Sequence, residues 1–265
     1  MKVMAYPEDR GKGTAQIDFQ SSRHDWSGLD EMEARSAAAR FAVTFWGNIM
    51  ASFYGGTATA PAGVILMNNG AVISNDGKCN SVYVHHFSDD SYHYKGELGG
   101  KIDANEIIDN ILKANVKTAG NIINPGTFAD LVRKNGDWDY KNNTKTIFGL
   151  AVKYDDQNKT STKFTFYGQE MDAYEFGNFH YGVVGKALYF GSEQLLLRQA
   201  GAAQITDGTS EPQWQKYKEI KASYQIAGYG SQTQITFREM IEPYGDDPHD
   251  QEMIKKGFKY YDTHY

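Results

Sequence analysis

Cysteine is almost absent: Cys79 is the single one in 265 residues. An intramolecular disulfide is therefore excluded, and so is a zinc site built from several thiolates. No apolar run approaches the roughly 20 residues that span a bilayer, so no stable membrane insertion is expected. The opening stretch, Met1-Lys2-Val3-Met4-Ala5-Tyr6-Pro7-Glu8-Asp9, lacks the apolar centre of a signal peptide, and any export is expected by a non-classical route. A basic excess is missing too, since the net charge is −6. Nucleic-acid binders gain much of their affinity by neutralising phosphates, so a nuclease function here must rest on a local basic patch. The common catalytic signatures are also lacking. There is no Gly-x4-Gly-Lys-Ser/Thr phosphate loop, no Gly-x-Gly-x-x-Gly opening a helix, no His-Glu-x-x-His and no Gly-x-Ser-x-Gly.

What remains is an ordinary globular composition rich in Gly, Tyr and Phe and poor in Pro, which predicts many turns and half-buried strands beside helices. Residues 1–26 read as a polar lead. A helix is expected from Ser27 to the Gly55-Gly56 stop, with Phe41, Phe45, Ile49 and Phe53 on one face; its low Lys content favours docking on a domain over membrane activity. Residues 62–97 predict strands: Val64–Met67 and Ala71–Ile73 around the turn Asn68-Asn69-Gly70, then Ser81–Phe87 and Tyr92–Glu97. His85 and His86 are adjacent and should point to opposite strand faces, which does not suit a shared metal.

A helix is expected from about Asp103, with a capping box to Glu106 and a stripe of Ile107, Ile108, Ile111 and Leu112. Another opens at Asn124-Pro125 and carries Phe128, Leu131 and Val132. Residues 145–167 read as a strand pair, Thr146–Tyr154 and Lys163–Tyr167, joined by a polar loop at Asp155–Asn158. Helical stripes follow at Val183, Val184, Ala187 and Leu188, then from a Ser192 cap through Leu195, Leu196 and Ala200. A hairpin is expected over residues 222–238 and a last helix from Asp247-Pro248 with Ile254 and Phe258. Helices and antiparallel hairpins without regular βαβ alternation indicate an α+β fold.

Three stretches carry polar groups suited to chemistry. Asp139-x-Lys141, inside Gly136–Lys141, matches a nuclease half-motif in which a carboxylate holds a divalent cation and a lysine steadies the attacking water; the simpler reading is a turn with solvated charges. Glu175–Gly185 places His180 among Gly177, Gly182 and Gly185. These glycines permit close helix packing or ligand approach, and the histidine suits proton transfer or a buried hydrogen bond. Pro243–Asp250 sets Asp246, Asp247 and Asp250 within five residues, a possible cation cluster; the simpler reading makes Asp247 a helix cap and Asp250 a favourable first-turn acid.

Taken in order, Gly96–Ile102, Asn124–Phe128, Gly136–Asn143, Thr146–Leu150, Phe176–Ala187, Ala200–Gln204, Gly208–Trp214 and Tyr244–Gln251 resemble the modules of the type 44 polymorphic toxin family, over about residues 96–262. The resemblance implies a toxin domain at 96–265 behind an N-terminal region, 1–95, of lead, helix and small β-region. Such modules often sit at the tips of Rhs-repeat proteins and are delivered into rival bacteria. No Rhs core or self-cleavage segment is seen before the module here. The family is regarded as a predicted ribonuclease, and by position His180, Asp139, Lys141, Asp247 and Asp250 are the polar members of its motifs in this chain.

The expected function is thus a hydrolase acting on RNA in a target cell, with His180 as acid or base, Lys141 opposing charge on phosphate and Asp139 orienting His180 or holding a metal. The need for a cofactor stays open, because the substrate's 2′-hydroxyl can serve as nucleophile without a cation. Two alternatives are a peptidoglycan hydrolase in the periplasm, using Asp139 with Glu175 or Asp247 as its carboxylate pair, and a non-catalytic binding module. Expected partners are a delivery machinery and a cognate immunity protein.

Overall fold

The computed structural model describes residues 60–225 and 232–265; the expected lead and the helix from Ser27 lie outside them. The turn chemistry of Asn68-Asn69-Gly70 folds β1 (Val64–Leu66) back on β2 (Val72–Asn75) as an antiparallel pair. Gly70 has a φ of +76°, and a Cβ there would lie 2.8 Å from Ile107, so glycine is required on both counts. β3 (Ser81–His86) and β4 (Ser91–Glu97) form the next antiparallel hairpin, with Val82 and Val84 of β3 buried.

Three-residue strands β5 (Lys101–Asp103) and β7 (Gln169–Met171) flank β6 (Lys163–Phe166) and complete a seven-stranded sheet of order β2-β1-β3-β4-β5-β6-β7. The α+β assignment holds, but the sheet is mixed: β1 runs parallel to β3 and β5 parallel to β6. The second parallel pair needs a long crossover. That crossover holds α1 (Asn105–Ala119), α2 (Pro125–Val132) and α3 (Ile147–Asn158).

Two local expectations are corrected. Thr146–Tyr154 is helix rather than strand. Thr146 caps α3 by accepting the Gly149 N–H, and Ile147, Phe148 and Ala151 are buried at helical spacing. The dense β-branched and aromatic run mimics a strand, but packing against the sheet decides the matter. Asp155–Asn158 is then the last turn of that helix, closed by Lys159 in the left-handed region. At the other site, Asp103 ends β5 and Ala104 is the cap position of α1, with no side-chain cap; the expected Asp103–Glu106 box does not form.

The chain continues through α4 (Ala173–Lys186), α5 (Glu193–Asp207), a separate two-stranded ribbon of β8 (Lys216–Gln225) and β9 (Gln232–Ile241), and α6 (Pro248–His264). Ser192 and Asp247 cap α5 and α6 as their sequence context predicts. Inward residues of the sheet, including Val82, Ile102, Phe164 and Phe166, share one core with Ile107, Ile108, Phe148 and Phe176. Phe148 stacks on Phe176 at 4.1 Å and tilts against Phe164 at 4.5 Å. Each such fully buried ring contributes about 1.5–3 kcal/mol.

α4 and α6 run in parallel, as contacts Glu175–His249 at one end and Lys186–Asp262 at the other require. Their approach depends on glycine. A Cβ on Gly182 would fall 2.2 Å from the Ile254 carbonyl oxygen, and one on Gly257 2.2 Å from that of Phe179. Gly182→Ala and Gly257→Ala should therefore each destabilise the fold by about 1–3 kcal/mol, although alanine is the better helix former by about 1 kcal/mol. Chemical denaturation measures this, and an unchanged midpoint for both variants would refute the close contact.

The boundary expected at 95/96 falls inside β4, and Ala58–Tyr265 cluster as one compact unit. A chain beginning at Gly96 would lose β1–β3 and most of β4 and expose the inner face of the sheet. It should aggregate or unfold without cooperativity, whereas a chain beginning at Ala58 should melt cooperatively. Equal melting of the two truncated proteins would instead support 96–265 as the folding unit.

Candidate active site

Glu175 and His249 meet where α4 and α6 begin. Asp172 caps α4, accepting the Tyr174 and Glu175 N–H groups at 2.9 Å each, and the Glu175 carboxylate accepts the Asp172 N–H at 2.7 Å. This reciprocal box holds the glutamate in one place. Its other oxygen, Oε1, lies 2.8 Å from His249 Nε2, and Lys163 Nζ stands 3.4 Å from Oε2 and 3.2 Å from Asp172. Burial acts to raise the Glu175 pKa, but the bonds from Asp172, His249 and Lys163 prevail and hold it below the ordinary value. The same hydrogen bond to Glu175 raises the His249 pKa against a smaller desolvation effect. His249 therefore keeps its proton to higher pH than a free histidine, and more than half of its side chain is exposed to solvent.

Asp250 lies one residue further along α6. It is half-buried and accepts a bond from Gln204 Nε2 at 2.9 Å. Burial raises its pKa, and so does the charge of Asp247, while Lys141, His249 and Gln204 pull the other way. Lys141 sits over the Tyr174 ring, 5.2 Å from its centroid. Below this group Asp246 is buried and its pKa is pushed up to about 6, first by desolvation. Gln251 Nε2 donates to it at 2.6 Å.

The expected site residues thus separate. Lys141 and Asp250 come together with Glu175 and His249. Asp247 is spent on the α6 cap, accepting the His249 N–H at 2.8 Å. Asp139 is buried and turned into its own loop, where one oxygen accepts from the Asn135 N–H and from Asn142, both at 2.7 Å. The carboxylates proposed for a wall hydrolase are therefore held by local structural bonds at both aspartates. His180 is 1% exposed, edge-on to Trp138 and Tyr140. Asn115 Nδ2 donates to His180 Nε2 at 2.9 Å and to the Tyr140 hydroxyl at 2.6 Å. Desolvation drives the His180 pKa down to about 3, so it is neutral in the core. That enclosure supports a structural role and leaves the ring no path to a surface substrate.

His249 and Glu175 were both within the stretches singled out by sequence, yet neither was placed in the preferred site. The capping pattern at Asp247-Pro248 accounts for that segment locally and hides the outward-facing histidine next to it. Asp172-x-x-Glu175 is a readable capping box, but its contact with residue 249 is purely tertiary. Among the described residues no group of three His, Cys, Asp or Glu side chains is placed to hold a metal ion, and no helix is long and apolar enough to cross a membrane.

The fold and this cluster define an α+β protein with a solvent-facing histidine–carboxylate pair flanked by a lysine and an aspartate. Residues 127–263 match the family described as bacterial toxin 44, and the chain belongs to that family. It is a toxin effector, a class whose members are delivered to other cells and generally have a cognate immunity partner. No curated protein and no solved structure matches the chain.

The burial of His180 has a pH signature. Between about 6.5 and 3 the unfolded chain binds a proton at this histidine and the folded chain does not. Its contribution to stability is thus complete above about 6.5 and is lost as pH falls through that window. Asp246, with its raised pKa, opposes this by favouring the folded state as pH drops. Melting curves of the parent and of His180→Gln at stepped pH isolate the histidine. The variant should be less stable at neutral pH and should lose less stability on acidification; parallel profiles would show that His180 is not buried neutral.

Proposed function

We propose that the toxin cleaves RNA, with His249 and Asp250 as the proton-transfer pair. The observation that carries this reading is the 2.8 Å Glu175–His249 contact, placed beside Asp250 and within the influence of Lys141. In the proposed step the 2′-hydroxyl oxygen attacks the adjacent phosphorus and Asp250 takes its proton. The bond from phosphorus to the 5′-oxygen breaks, and His249 protonates that leaving oxygen. The products are a 2′,3′-cyclic phosphate and a free 5′-hydroxyl. Glu175 positions His249 and favours its charged form, and Lys141 opposes the charge that builds on the phosphoryl oxygens. Proton transfer passes from His180, the candidate suggested by sequence, to His249 because only the latter faces solvent.

His249→Gln should melt near the parent temperature and lose at least about 100-fold in RNA cleavage, the usual scale for a general acid or base. The parent rate should fall at low pH as Asp250 takes up a proton and at high pH as His249 loses one. Both limits should lie above those of unperturbed groups, since both pKa values are raised. Cleavage of labelled RNA, with end-group analysis of the products, measures this. An active His249→Gln protein would sink the assignment. Toxicity confined to expression in the periplasm, with lysis, would instead support the wall hydrolase.

A further inference from the structure

The β8–β9 ribbon is a two-stranded sheet separate from the seven-stranded one. It carries the cations Lys216, Lys218, Lys221 and Arg238 against the anions Glu219 and Glu239, in a protein whose net charge is −6. Lys218 and Arg198 both pair with Glu239, which leaves Lys216 and Lys221 without an ion pair among the described residues. Aromatic groups alternate with these cations. Tyr217, 43% exposed, lies under the Arg238 guanidinium at 5.1 Å, and Phe237 is 47% exposed.

The strand register distributes these groups over both faces. Tyr217, Lys221 and Arg238 share one face, and Lys216, Lys218 and Phe237 share the other. Ten residues per strand at about 3.4 Å each give an arm about 30 Å long. Its root is tied to the candidate active site. Lys216 pairs with Ile241, the Gly245 N–H donates to the Trp214 carbonyl at 3.0 Å, and the chain then enters α6 just before His249.

We propose that this ribbon binds single-stranded RNA and leads it to the Glu175–His249 pair, an inference that rests on the ribonuclease reading above. Exposed rings offer stacking surfaces to unpaired bases, and interleaved cations follow the phosphates. A protein-binding surface fits less well, because lysine is depleted at the centre of protein interfaces. The ribbon also supplies the local basic patch that a nuclease of acidic overall charge requires.

The test uses the full chain carrying His249→Gln, so that the probe survives, and a fluorescein-labelled 12-nucleotide oligouridylate read by anisotropy. Adding Lys216→Gln, Lys221→Gln and Arg238→Gln together should weaken binding at least about tenfold and reduce the salt slope of log K by about 2. Phe237→Ala should weaken binding about fivefold or more. The Lys216→Arg/Lys221→Arg protein keeps the charge and should bind as the His249→Gln chain does, which controls for folding. Unchanged affinity and slope in the triple variant, while the parent still cleaves RNA, overturn the arm and leave the ribonuclease reading standing. A parent that neither binds nor cleaves RNA overturns both. Self-association in sedimentation that Phe237→Ala abolishes, with RNA affinity unaltered, shows a protein interface instead and also overturns the arm.

Discussion

The parallel contact between α4 and α6 is the constraint on which the rest of the site depends. Two helix backbones meet at Gly182 and Gly257, where side chains of any size would strike carbonyl oxygens. Parallel packing brings two positive helix starts to the same end of the molecule, which is electrostatically unfavourable on its own. The first turns answer with carboxylates: Asp172 and Glu175 on α4, Asp247 and Asp250 on α6. Those acids in turn draw in Lys163 and His249 and place Asp250 within the field of Lys141. The candidate chemistry is therefore built from groups that packing and helix electrostatics already call for.

The stretch around His180 serves the same core from the opposite side. Its phenylalanines and glycines fit α4 between the sheet and α6, and its histidine completes a buried hydrogen-bond chain with Asn115 and Tyr140. Burial raises the Tyr140 pKa just as it lowers that of His180, so both rings stay uncharged. A neutral, satisfied polar group can be buried at modest cost, whereas an unpaired one cannot. A glycine- and aromatic-rich motif containing one histidine is thus a sign of demanding packing as much as of catalysis.

Charge is unevenly placed. An acidic chain carries four cations against two anions on the ribbon and sets Lys163 beside carboxylates at a helix start. Near the site, two carboxylates that differ in burial and partner shift in opposite senses: Asp246 is raised by desolvation, and Glu175 is lowered by the bonds it accepts. Such separation lets one carboxylate favour the charged form of a histidine, while burial and the charge of Asp247 raise the pKa of another, Asp250.

From the sequence alone, local chemistry could be read where it is self-contained. The Asn68-Asn69-Gly70 turn, the Ser192 and Asp247 caps, the buried stripe of Ile107, Ile108, Ile111 and Leu112, and the toxin family's ordered motifs all depend on neighbours a few residues away. Tertiary structure decided what depends on distant partners. Thr146–Tyr154 became helix because its apolar residues face the sheet at helical spacing, and three-residue strands formed at Lys101 and Gln169 because β6 lay between them. Only the fold could tell a sealed histidine from an exposed one. In one dimension His180 draws the proton-transfer role and His249 does not, but 1% exposure against an aromatic core governs the first, and a carboxylate 74 residues away governs the second. A side chain's protonation state follows from its solvent access and its partners, and neither is a local property of the chain.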